Sequence, residues 1–319
     1  MQKLKKIAAT MCATVLSLSM VTGCTSTKEA TNGDTKKIVL VLDKGGVNDG
    51  SFNESAWNGA VKAQEELGVE VKYLESNADA EYASNIETAV DMGSDLIIGV
   101  GFNLTGAIEK AAKAYPEQQF AIVDGAFEEI PSNVTNIVFN EEEAGYLAGI
   151  ATALTVKADK FGFIGGFEIP AVVNYKNGFE KGLKEVNPNA TLAVQYANSF
   201  TDAAKGRAIT EQMYNDGIMA VMSAAGGVNN GSYEVALEKG IYSVAVDLAQ
   251  SHIAPEAIIT SALKNVDTGV FSVINNLVDN TLISGEAVTY SISNNGVGYE
   301  KTSFITEETV KYIENILNK

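Results

Sequence analysis

The chain has 319 residues, 46% of them hydrophobic, and a formal net charge of −17. That length suffices for about two domains with sizeable cores. The acidic balance argues against nucleic acid and anionic lipid surfaces as partners, because both require basic protein surface, and leaves a small polar ligand compatible.

Residues 1–23 read as a lipoprotein signal peptide. Lys3, Lys5 and Lys6 form a positive start, and Ile7 to Met20 is an apolar stretch too short for a membrane span. It ends in Val21-Thr22-Gly23-Cys24, small residues before a cysteine that resemble a bacterial lipobox. The implied processing cleaves before Cys24 and attaches diacylglycerol to its sulfur, and two acyl chains are enough for stable anchoring. The alternative is an ordinary secretory signal with an incidental cysteine. Cys12 lies within the signal, so the mature chain has no cysteine pair for a disulfide or a metal site. Residues 24–36 are polar and aperiodic, a flexible tether. The body is expected on the extracytoplasmic side of the cell membrane, held by its lipid.

Ile38 to Leu42 is a continuous apolar run, the pattern of a strand buried on both faces of a parallel sheet. A helix follows over Phe52 to Leu67, then a strand over Val69 to Leu74 and a helix over Ala80 to Met92 with Ile86, Ala89 and Val90 on its apolar face. Leu96 to Val100 is a strand, Thr105 to Ala114 a helix and Phe120 to Val123 a strand ending at Asp124. The second half repeats the order. Strands are expected at Phe161–Ile164, Leu192–Tyr196, Met219–Ser223 and Ser243–Val246, with helices at Asn174–Val186, Ala203–Asn215 and Ser232–Lys239 between them. Lys37 and Lys160, Asp79 and Asp202, Leu96 and Met219, and Asp124 and Asp247 all recur at an offset of 123. The repeat predicts two similar α/β lobes, each a doubly wound parallel sheet. The tail adds strands at Ile258–Leu263 and Val288–Ser293 and helices at Val266–Asp279 and Thr306–Leu317. It is expected to return to the first lobe and finish near the second, giving a hinge of several crossings. The expected lobes are 37–139 with 249–286, and 140–248 with 287–319.

In open parallel sheets, ligands bind beyond the carboxyl ends of the strands. Asp43, Asp49, Ser51, Phe52 and Asn53 follow the first strand, and Gly101 to Asn103 follow the third. Asp124 and Asp247 end the fourth strand of each lobe, and Gly165 to Phe167, Ala225 to Asn230 and Lys264 lie at further strand ends. Glycines let backbone approach a ligand, and Ser51 or Asp49 can cap the helix. A carboxylate can accept two hydrogen bonds from a diol, and Phe52 offers a ring for stacking. Each feature has a plainer reading: a strand-end aspartate as a turn residue, Phe52 as a staple on its own helix, Gly226-Gly227 as a tight turn, Lys264 as a solvated charge. Their convergence on one edge favours a binding cleft.

Catalysis has little support. His252 is the single histidine, there is no HExxH motif, and Gly99-Val100-Gly101 lacks the third glycine of a dinucleotide fingerprint. The aspartates are spread over both lobes, which suits clamping better than metal ligation. No cofactor, metal or catalytic residue is expected.

DKGGVNDGSFNESAWNG, FGFIGGFEIPAVVNYKNGFEKGL, AAGGVNNGSYEVA and SVAVDLAQ resemble the basic membrane protein family of substrate-binding lipoproteins, which includes purine nucleoside receptors. The resemblance runs from about Lys37 to the C-terminus. It implies a type I periplasmic-binding-protein fold, nucleoside capture by hinge closure, and delivery to the permease and ATPase subunits of an ABC importer by a monomer. By motif, Asp49 and Asn53 would lie near the base and Phe52 would stack on it. Asp124 would contact the base or order the pocket, Asp247 would bind the ribose hydroxyls, Lys264 would reach the ribose side and Gly227 would give backbone contact. Phe167 stands where many members have methionine, and Met222 where an aromatic residue can supply the second stacking face; Tyr175 or Phe167 would then substitute. The alternatives are a sugar or small signalling molecule stacked on Phe52 and Trp57, a nucleoside hydrolase, and a surface antigen.

Overall fold

The computed structural model describes residues 35–318. The signal peptide, Cys24 and most of the tether lie outside the described residues.

β1 (Lys37–Leu42), β2 (Glu70–Leu74), β3 (Leu96–Val100), β4 (Gln119–Val123) and β5 (Val134–Phe139) alternate with α1 (Phe52–Leu67), α2 (Tyr82–Asp91) and α3 (Thr105–Ala114), no helix separating β4 from β5. Alternate residues of β1 enter different cores. Ile38, Leu40 and Leu42 pack with Ala56, Ala60 and Ala63 of α1. Val39 and Val41 pack with Ile86 of α2 and Ile108 of α3. This is the strand period of two, read from a sheet with helices on both faces.

After β5 the chain crosses through α4 (Glu141–Thr155) into β6 (Lys160–Gly165), α5 (Pro170–Val186), β7 (Thr191–Tyr196), α6 (Ala203–Asn215), β8 (Ala220–Ala224), α7 (Val228–Lys239), β9 (Tyr242–Asp247) and β10 (Ile258–Lys264). α8 (Val266–Val278) then returns to pack Val270 and Ile274 into the same core as α1. β11 (Glu286–Tyr290), β12 (Val297–Tyr299) and α9 (Glu307–Leu317) complete the chain. The sheets have matching orders, β2-β1-β3-β4-β5-β11 and β7-β6-β8-β9-β10-β12. All pairings are parallel except β10 with β12.

The expected lobe boundaries need correction. β10 lies in the second sheet, paired with β9 from Ile258 to Leu263, and β11 lies in the first, paired with β5. The crossings therefore fall near Asn140, Asn265 and 291–296. They are hydrogen-bonded to the chain beside them: Asn140 N–H donates to the Tyr290 carbonyl (2.8 Å) and Asn265 N–H to that of Gly296 (2.8 Å). β5, α4 and β12 were absent from the expectation. α4 escapes a periodicity argument because it is buried nearly all round, with Ala144, Leu147, Ala148, Ile150 and Ala151 inside.

α4 and α5 touch through glycine pairs four residues apart, Gly145 and Gly149 on one and Gly178 and Gly182 on the other. A Cβ on Gly178 would strike the Glu142 carbonyl, and one on Gly145 that of Tyr175. The close approach fixes Glu141 and Tyr175 relative to each other. Backbone cannot step aside as a side chain can, so Gly178→Ala is expected to destabilise the fold by about 3 kcal/mol, the upper end for overpacking. The urea unfolding midpoint checks this; an unchanged midpoint would contradict the packing account.

Candidate functional site

Loops at the carboxyl ends of both sheets enclose a cleft of about 700 Å³, counting its open mouth. Asp43, Asp49, Phe52, Asn53, Asp124, Tyr175, Asp247 and Lys264, all expected from the sequence, line it.

The loop after β1 is built around two carboxylates. Asp43 Oδ1 accepts from Gly45 N–H (3.0 Å) and Asn53 Nδ2 (2.8 Å). Asp49 covers the N-terminus of α1. Its Oδ1 accepts from Ser51 N–H (2.9 Å) and Glu54 N–H (3.1 Å), and its Oδ2 from Asn53 N–H (2.9 Å) and Asn53 Nδ2 (3.1 Å). Asp49 is therefore the capping residue, and a carboxylate there also suits the helix dipole. Two carboxylate acceptors fix which atom of the Asn53 amide is nitrogen. Its Oδ1 is left buried and without a partner among the described residues, in a side chain that is 1% exposed and lines the cleft. An orphaned buried acceptor costs free energy until something donates to it.

Ser51 does not cap. Its hydroxyl donates across the cleft to Asp247 Oδ2 (2.6 Å), and Tyr175 OH donates to Asp247 Oδ1 (3.2 Å). Asp247 and Asp124 occupy equivalent strand ends, both in the left-handed region at φ 64° and 58°. Aspartate tolerates this conformation better than most residues, and such strain is held at sites where the surroundings over-determine it.

Lys264, 2% exposed, projects from β10 into the junction of the lobes. Its ammonium donates to Asp124 Oδ2 and to Glu141 Oε1 (2.8 Å), and it stands 5.2 Å from the Phe52 ring centre and 5.1 Å from that of Phe139. Burial opposes its charge, but Asp124, Glu141 and Asp247 outweigh burial and hold its pKa above the usual lysine value. Burial pushes Asp43 and Asp247 up, and pushes Asp124 to about 7 against the pull of Lys264. Burial and Asp247 hold the Tyr175 hydroxyl well above its ordinary value.

Five expected residues sit elsewhere. Met222 is fully buried in the middle of β8, paired with Phe163 and Val244, so it is core. Phe167 packs edge-to-face on Phe200 (5.2 Å) outside the lining. Gly227 lies behind Gly226, its N–H bonded to the Phe200 carbonyl (2.8 Å). Ser51 is buried behind the lining, on Asp247. Trp57 packs on Tyr73 (4.9 Å) instead of facing the cleft. Two residues were missed. Phe200, in the loop after β7, lines the cleft from the second lobe. Glu141 pairs with Lys264. Nothing in their local sequence marks them; Phe200 is reached only through Gly166, where a Cβ would collide with its ring.

Two parallel-sheet lobes, crossed three times and closing on one ligand-sized cleft, define a substrate-binding protein of the type I periplasmic-binding-protein fold. The chain belongs to the Bmp family, described as ABC transporter substrate-binding protein PnrA-like, whose family model matches residues 36–319. It is 33% identical to the ABC transporter nucleoside-binding protein BmpA of Lactococcus lactis, over 92% of this chain and 90% of that one. It is 34% identical to basic membrane protein A of Borreliella burgdorferi, over 92% and 88%. Among solved structures, an ABC transporter system solute-binding protein from Aeropyrum pernix K1 superposes with a TM-score of 0.76 at 30% identity, covering 89% of this chain and 80% of that one. Members of this class bind a small molecule outside the cytoplasm and present it to an ABC permease; they are not enzymes. Among the described residues, no helix is long and apolar enough to cross a membrane.

The raised carboxyl of Asp124 has a consequence for stability. Its folded pKa of about 7 lies above its ordinary value of 3.8, so between those values the folded state holds a proton that the unfolded state has lost. Stability conferred by that proton is complete below 3.8 and lost as pH rises through about 7. Urea midpoints measured across this window are expected to fall in the wild type, with a smaller fall in Asp124→Asn. Identical pH profiles would show that Asp124 is not the group responsible.

Proposed function

We propose that this protein is a lipid-anchored, monomeric receptor that captures a nucleoside, purine in preference to pyrimidine, and presents it to its ABC permease. One observation carries the reading: Asn53, whose buried Oδ1 has no partner among the described residues, lines a cleft with aromatic rings on opposite lobes, Phe52 and Phe200. A planar base between the rings would gain stacking, and a base N–H donated to Asn53 would satisfy the orphaned acceptor. Asp43, which shares the Asn53 amide, adds a second acceptor to the same wall. Phe200 fills the role of second stacking face that the sequence left between Tyr175 and Phe167.

Asp247 is suited to the ribose diol. A carboxylate has about four lone-pair sites, and Ser51 and Tyr175 occupy one on each oxygen, so acceptor capacity remains for two hydroxyls. Closure brings Ser51 and Asp124 of the first lobe onto Asp247 and Lys264 of the second, which removes water and strengthens these bonds. The loaded state then presents both lobes to the permease in one fixed relation. The name of the Lactococcus lactis relative supports the ligand class. The anchor rests on Cys24, at the end of the apolar leader.

Calorimetry tests the ligand. The soluble body, unfolded and refolded to strip carried-over ligand, would be titrated with adenosine, guanosine, inosine, cytidine, uridine, ribose, glucose and galactose. Purine nucleosides are expected to bind tightest and to be recovered unchanged. Sugar-only binding, or none, would refute the reading.

Asp247→Asn separates sugar from base recognition. Hydrogen bonds to a charged group are worth about 1.5–3 kcal/mol, so ribonucleosides should lose roughly 10- to 100-fold in affinity. A 2′,3′-dideoxynucleoside should lose little. Equal losses would mean that Asp247 does not read the diol.

A further inference from the structure

Past Asp124 the cleft continues into a side chamber of about 390 Å³. Phe102, Asp124, Ile169 and Ala171 wall both spaces, so the two adjoin. The chamber takes Val138 and Phe139 from the first lobe and Pro170 from the second, so it exists only when the lobes are together. Its surface is mainly apolar, and its polar groups already serve one another. Glu141 accepts from Lys264 and from Asn174 Nδ2 (3.2 Å), and Asp124 accepts from Lys264. The ammonium at its edge is thus committed to Asp124 and Glu141, and an incoming phosphate would meet those two carboxyl groups with no free cation among the described residues that line the chamber.

A nucleoside has three edges that can be extended: the base, the diol and the 5′ carbon. With the base on Asn53 and the diol on Asp247, the edge left to face Asp124 and the chamber is the 5′ carbon. We infer that the chamber is a subsite for an uncharged, apolar 5′ substituent, so that the protein takes 5′-thioether nucleosides as well as plain ones and rejects 5′-phosphates. This rests on the nucleoside reading above.

Ala126 is an exposed residue on the chamber wall that does not line the main cleft. Ala126→Trp would fill the chamber, and Val138→Phe would narrow it from β5. Adenosine and inosine, their 5′-deoxy-5′-ethylthio derivatives and their 5′-monophosphates would be titrated into the refolded wild type and both variants. In the wild type the thioethers should bind within about threefold of the parents or tighter, because burying each methylene contributes about 0.8 kcal/mol. The monophosphates should bind at least about a hundredfold more weakly, because the phosphate would lie against Asp124 and Glu141. Either substitution should weaken the thioethers about tenfold and leave the parents within about twofold, the loss of the same apolar burial. Parents that bind while thioethers do not, thioethers insensitive to both variants, or variants that weaken parent and thioether alike would overturn the subsite. Loss of binding by the parents themselves in the wild type would instead refute the nucleoside reading, and the subsite with it.

Discussion

A buried ammonium cannot stand alone, and the arrangement of this molecule turns on where Lys264 finds its partners. The side chain belongs to the second sheet, but Asp124 belongs to the first and Glu141 to the helix that has just crossed between them. An ammonium and two carboxyl groups from three parts of the chain thus meet at the junction of the lobes. Removing one partner of such a group costs about 3–5 kcal/mol, because the remaining charge stays buried. The Phe52 and Phe139 rings near the ammonium add cation–π attraction. Lys264 is therefore a pin between the lobes as well as a residue of the cleft wall.

The second cross-lobe contact has a different character. Ser51 to Asp247 is a neutral donor on a carboxylate, cheaper to break and re-form than an ion pair. Asp247 is held from its own lobe by Tyr175, whose backbone is fixed where α5 lies against Gly145 of α4. The Asp247 carboxylate is in this way oriented by the protein itself. Asp49 does the same for Asn53 by holding both its backbone and side-chain nitrogen, which leaves the amide oxygen as the free valence. Preorganisation of this kind reduces the ordering cost of binding.

Much of this was legible in the sequence. The apolar run at β1, the 123-residue phase between halves and the aspartates ending β4 and β9 gave two doubly wound lobes and the edge that carries the site. Local chemistry identified the loop from Asp43 to Asn53 as specialised. It could not distinguish Ser51 from Asp49 as the cap, because either side chain can reach the same amides and the choice depends on Asp247, 196 residues away. Motif position alone suggests Met222 and Phe167 as ligand contacts, yet Met222 lies in the middle of β8 and not at its carboxyl end, and Phe167, in the loop after β6, is taken up by packing on Phe200.

The sequence by itself determined most of the elements, their repetition and most of the strand-end residues, because hydrophobic period and turn chemistry are local properties. Only the tertiary structure decided that β10 joins the second sheet and β11 the first, that Glu141 completes the Lys264 cluster, and that Phe200 faces the cleft. Each of these depends on pairing between residues distant in the chain, and no local pattern records which distant partner a strand, a charge or a ring will meet.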